Sequence, residues 1–95
     1  VIKVIWSERK NRLNIYKHRI DFEEAKTIFN DSLQLSGSDP DHSFDEQRFI
    51  TIGMSVQNRL IIVAHTLDDD KIRIITARKP TRREKKDYEE GVYNA

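Results

Sequence analysis

Hydrophobic positions crowd into three runs in the second half of the chain, 48–54 (RFITIGM), 59–67 (RLIIVAHTL) and 71–78 (KIRIITAR). Their Ile, Val and Thr residues follow one another instead of recurring at every third or fourth position, which predicts strands and not helices. The segments between them, 55–58 and 68–70, are short enough to make neighbouring strands antiparallel. A three-stranded meander over 47–54, 59–67 and 71–78 is therefore expected to seed the core. No other stretch holds as many aliphatic residues.

The first third of the chain is patterned differently. Residues 2–6 (IKVIW) predict a short edge strand, with Lys3 keeping that edge soluble. Ser7 is placed to cap a helix over 8–18, whose weak apolar stripe is Leu13 and Tyr16, with Arg9 on the same side. A second helix over 22–30 is marked by a capping box, Asp21 with Glu24, and by an apolar face of Phe22, Ala25, Ile28 and Phe29. Ile20, in the joint between the helices, is available as a staple. Residues 32–36 alternate polar and apolar, predicting a half-buried strand, and 37–45 read as a loop. Thr81 and Glu84 form another capping box, opening a helix that runs to about Glu90 and stops at Gly91. The order β-α-α-β-β-β-β-α predicts an α+β domain. It should have a four- or five-stranded, mainly antiparallel sheet, a helical pair on one face and a C-terminal helix. The second sheet face is then bare, or covered by the last helix or by another protein.

At 95 residues the chain is expected to be one domain over 1–95, with a modest core. The net charge of +1 says little, but its distribution says more: six of the nine residues in 78–86 are basic, a local patch able to attract phosphate. Cysteine is absent, which excludes disulfides, a thiolate nucleophile and Cys-based metal sites and fits a cytoplasmic location. No run approaches a membrane span, and the first ten residues have no apolar segment of export-signal type. The three histidines are scattered, and Asp68–Asp70 reads as a solvated hairpin turn. Asp39, Asp41 and Asp45 lack the Gly and Glu of a calcium loop. Neither a metal nor a cofactor is expected.

Family resemblance adds to this reading. The stretches Trp6-Ser7-Glu8-Arg9-Lys10, Asn14, Lys17-His18, Phe22-Glu23-Glu24-Ala25 and Phe29-Asn30-Asp31 carry it in the first third. It continues through Asp41-His42-Ser43, Glu46, Arg48 and Gly53 to Ile72–Arg78, Glu84 and Tyr88-Glu89. In that order they resemble the BrnT family, toxins of a bacterial type II toxin-antitoxin system. The family has Asp where Ser7 stands, Gly where Arg19 stands, Ser at Thr76 and Ala at Pro80. Glycine at position 19 would suit a bend that other residues tolerate less readily. The resemblance implies a RelE-like fold and ribonuclease activity. It also implies neutralisation by a cognate BrnA-like antitoxin, with two toxins and two antitoxins in the complex. Operator DNA would then be bound only through the antitoxin.

Chemistry of that kind assigns residues. RNA cleaves when a 2′-hydroxyl attacks the adjacent phosphorus, and no metal is required if proton transfer and charge stabilisation are supplied. His42, in a polar loop, is the leading proton-transfer group, with Glu46 orienting it or acting as base. Arg48, Arg73 and Arg78 would hold the phosphate. Arg73 is expected on the face shared with Ile75 and Ala77, and for Arg78 a salt bridge to Glu46 or Glu84 stays open. His18, which reads equally well as a helix-ending cation, and Tyr88 are secondary candidates. Lys17, Lys79, Arg82, Arg83 and Lys86 would contact the RNA backbone. His65 reads as a core or sheet-face histidine. Two other classes stay open, a non-catalytic nucleic-acid binder and a pure interaction module. A single-strand binder would need aromatic platforms on a basic surface, and the meander offers only Phe49.

Overall fold

The aliphatic runs form strands because their branched side chains fit a pleated surface buried on one side or both. The computed structural model describes residues 2–39, 41 and 47–92. Its strands are β1 (Lys3–Ile5), β2 (Leu35–Ser38), β3 (Arg48–Met54), β4 (Leu60–Asp68) and β5 (Lys71–Arg78). Its helices are α1 (Glu8–His18), α2 (Phe22–Ala25) and α3 (Arg82–Glu90). The sheet order is β1-β5-β4-β3-β2, antiparallel except that β1 runs parallel to β5. The α+β class, the meander and the edge position of the first strand agree with the sequence reading.

The core lies between the sheet and the segment after α1. Ile20, Phe22, Ala25 and Ile28 pack on Ile61, Val63, Ile74 and Ala77, with Val4, Trp6 and Phe29 at the margin. Gly53 lets this segment come close, since a Cβ there would lie 2.8 Å from that of Ile28.

Four details differ from expectation. The second helix is α-helical only to Ala25 and continues as a 3-10 turn over Lys26–Asn30. Thr27 Oγ1 donates to the Glu24 carbonyl at 2.6 Å, a local bond that competes with the helical ladder. The Asp21–Glu24 box is half-formed. Asp21 accepts from the Glu23 N–H, but the Glu24 carboxylate turns to Arg59 and Ser55. The strand expected at 32–36 is displaced, because Asp31 caps a turn by accepting from the Leu33 N–H at 2.9 Å. Finally, Ala64 pairs with Thr76 while His65 pairs with Ile74, so Ile75 is an extra residue in β5. This bulge returns Ala77 to the helix side with Ile74 and separates it from Arg73, contrary to simple alternation.

α3 begins at the expected capping box of Thr81 and Glu84 and ends at Gly91, whose φ is 76°. It lies against β3.

Candidate active site

Register gathers the three candidate arginines. Arg48 pairs with Thr66, and Thr66 with Arg73, which makes one row across β3, β4 and β5. Arg78 pairs with Ile62, on the same side of β4 as Thr66. All three therefore share the face opposite the core residues Ile61 and Val63. Strand spacing puts the Arg48 and Arg73 backbones about 10 Å apart, with Arg78 about 13 Å along the strands from that row. Each arginine is half-buried and engaged in polar or ionic contacts. For Arg78 the ion-pair reading is realised. Nη1 donates to Glu84 Oε1 at 2.8 Å, and Nη2 to Oε2 at 2.9 Å. The guanidinium holds the Glu84 carboxyl below its usual pKa, against the opposing effect of burial.

The outer edge of β5 shapes the second half of the site. β1 covers it only as far as Arg73. Beyond that point Asn14 takes the place of a strand. Its Oδ1 accepts from the Ala77 N–H at 3.0 Å, and its Nδ2 donates to the Ala77 and Ile20 carbonyls at 2.9 Å each. Neighbouring Asn11 fixes the next segment, accepting from the Phe22 N–H and donating to Asp21. The buried residues of α1 are thus Asn11 and Asn14, while Leu13 and Tyr16, expected to form its apolar stripe, are 57% and 80% exposed. By crossing the strand edge, α1 opens a cleft of about 240 Å³ between Lys10, Leu13, Lys17 and His18 on one side and Ile75 and Thr76 on the other. Thr76 pairs with Ala64 and so belongs to the arginine face, between Arg73 and Arg78. The cleft brings Lys17 and His18 beside that face. Lys10 and Thr76 were not anticipated as site residues. The signal was present in the spacing of Lys10, Leu13 and Lys17, which places them along one flank of a helix.

The other candidates are placed elsewhere. His42 and Glu46 lie outside the described residues. Tyr88 is not in the α1 cleft but beside Met54, Leu60, Lys79 and Pro80. Its hydroxyl donates to Asp31 at 2.6 Å. Burial, and then the adjacent carboxylate, push its pKa up to about 12. Arg82, Arg83 and Lys86 are exposed on α3, where Arg83 Nε lies 3.7 Å from buried Asp87. His65 is buried as expected. Its Nε2 is 2.7 Å from Thr51 Oγ1, with Phe29 edge-on and Phe49 stacked. Desolvation lowers its pKa.

A family model described as the ribonuclease toxin BrnT of a type II toxin-antitoxin system matches residues 6–84. The chain belongs to the BrnT family. Toxins of this family are ribonucleases that work in a system with an antitoxin. A solved BrnT, the ribonuclease toxin of Brucella abortus, has the same fold, with a TM-score of 0.61. It is 24% identical over an alignment covering 86% of this chain and all of that one. Comparison with curated proteins finds no match. Among the described residues, no helix is long and apolar enough to cross a membrane.

Proposed function

We propose that this BrnT-family chain is a single-domain, RelE-like endoribonuclease of the cytoplasm that cleaves RNA without a metal ion. The 2′-oxygen bonds to the adjacent phosphorus, its proton passes to a base, and the bond to the 5′-oxygen breaks. The leaving 5′-oxygen takes up a proton, leaving a 2′,3′-cyclic phosphate and a 5′-hydroxyl. His42 transfers protons, with Glu46 orienting it or acting as base, and Arg48, Arg73 and Arg78 offset the negative charge that builds on the phosphoryl oxygens. His18 is the second proton-transfer candidate. Lys17 positions the backbone, with Lys79, Arg82, Arg83 and Lys86 adding longer-range attraction. The observation that carries the reading is the placement of Arg48, Arg73 and Arg78 on one sheet face, with His18 and Lys17 in the cleft at its border.

Cleavage of naked RNA in EDTA tests it. Wild type should cut and leave cyclic phosphate ends, and a folded His42→Ala variant should lose about 100-fold or more in rate. Abolition of wild-type cleavage by EDTA would reject the metal-free mechanism, and full activity of His42→Ala would move proton transfer to His18 or Glu46. A cognate BrnA-like antitoxin should bind in a 2:2 complex and carry all contact with operator DNA. Separate elution of the co-expressed chains at micromolar concentration would count against that assembly.

A further inference from the structure

α1 has Arg9, Lys10, Arg12, Lys17 and His18 against a single acid, Glu8. In α3, by contrast, Glu84, Asp87, Glu89 and Glu90 interleave with the cations. Among the described residues, Arg9, Lys10, Arg12 and Lys17 take part in no ion pair. Helical spacing puts Arg9, Arg12 and Tyr16 along one outer ridge, opposite buried Asn11 and Asn14. Tyr16 is 80% exposed there, and Leu13 beside it is 57% exposed. Folding gains little from an aromatic ring left in water, so the packing of this chain does not account for it. Lys17 and Leu13 continue from this ridge into the β5 cleft, where His18 and Thr76 lie.

Binding a single strand without sequence readout takes two things, cations that track phosphates and an aromatic face on which a base can stack. The ridge supplies both, at the mouth of the candidate active site. We propose that the α1 ridge of Arg9, Arg12 and Tyr16 is a binding track for single-stranded RNA. Tyr16 stacks on a base flanking the bond that is cut, and Lys17 leads the backbone from the ridge into the cleft. The identification of the strand as RNA rests on the ribonuclease reading; the track itself rests on charge and an exposed ring. An acidic protein segment would also be drawn to these cations, but it would have no need of the ring face.

The test uses the full chain and a short, labelled, fully 2′-O-methylated RNA, whose blocked 2′-oxygens cannot attack. Fluorescence anisotropy should show Tyr16→Ala binding about tenfold or more weaker than wild type, with Tyr16→Phe close to wild type. The double variant Arg9→Gln with Arg12→Gln should lower the salt slope of log affinity by about 1.4. Thermal melts confirm folding, which exposed positions should leave intact. Wild-type affinity in Tyr16→Ala, or equal losses in the Ala and Phe variants, would overturn stacking. Cleavage of unmodified RNA is scored separately. If wild type cuts RNA while Tyr16→Ala binds normally, the track fails and the ribonuclease reading stands. If binding depends on Tyr16 but nothing is cut, the ribonuclease reading fails and the track stands. If ridge variants lose a co-expressed antitoxin but keep RNA affinity, the ridge is a protein-docking face and the proposal falls.

Discussion

Arg19 ends α1 in the left-handed region, at φ 59° and ψ 33°, a conformation that costs a residue bearing a Cβ about 1–2 kcal/mol. Its polar bonds are made by the backbone: its N–H donates to the Ile15 carbonyl at 2.9 Å, and its carbonyl accepts from Arg59 at 3.3 Å. Arg19→Gly keeps both bonds and relieves the strain. It should raise stability by about 1 kcal/mol, offset in part by chain entropy, and a lower urea midpoint would contradict this. The bend at this position was legible, because the family pattern places glycine there. The inward side of α1 was not. Pattern reading sends Leu13 and Tyr16 to the core, yet α1 crosses a strand edge whose backbone groups need partners, and amides satisfy them where apolar side chains cannot. His65 was legible because a histidine within an aliphatic strand has a core to serve.

Elements were legible where the pattern is local. The strands of the meander appear within a residue or two of expectation, since each Ile/Val run states its own conformation. Long-range recruitment was hidden. Arg59 takes Glu24 out of its expected cap with bonds of 2.6 and 2.8 Å, and no local pattern announces a partner 35 residues away. Equally silent were the parallel pairing of β1 with β5 and the cleft that α1 forms with β5. The junction of α1 with β5 can be tested at Asn14. Asn14→Ala would leave the N–H and carbonyl of Ala77 and the carbonyl of Ile20 short of buried partners. A loss of about 2–4 kcal/mol is expected from chemical denaturation, with faster hydrogen exchange at the Ala77 amide. A loss below about 0.5 kcal/mol would mean that the strand edge closes without it.

The whole molecule should weaken in acid through two sets of groups. Desolvation holds the pKa of His65 down, so the unfolded chain binds a proton that the folded chain refuses. Stability present above the unfolded value of about 6.5 is then lost as pH falls below it, by up to about 1.4 kcal/mol per pH unit. Below that window the carboxylates add to the loss. Glu24 is held low by Arg59. For Asp31, burial raises the pKa, but hydrogen bonds from Tyr88, Met54 and Leu33 outweigh it. Glu84 is held low by Arg78. Their contribution is present above the unfolded values near 4.5, 3.8 and 4.5 and disappears as pH falls through the folded ones. Thermal melts should show a falling midpoint from about pH 7 to pH 5. His65→Gln should flatten that first segment, and an unchanged slope in the variant would exclude His65 as its source.

Glu84 closes the α3 cap through Oε1 while clasping Arg78 with both oxygens. An anion that draws both of those guanidinium nitrogens to itself must displace this carboxylate, so ligand occupancy and helix anchorage compete for the same cation. An Arg78→Ala variant accordingly has a compound phenotype, a missing positive charge together with an orphaned negative one at the start of α3. Pairing it with Glu84→Gln in a double-mutant cycle separates the two effects and assigns any residual loss of cleavage to the guanidinium itself.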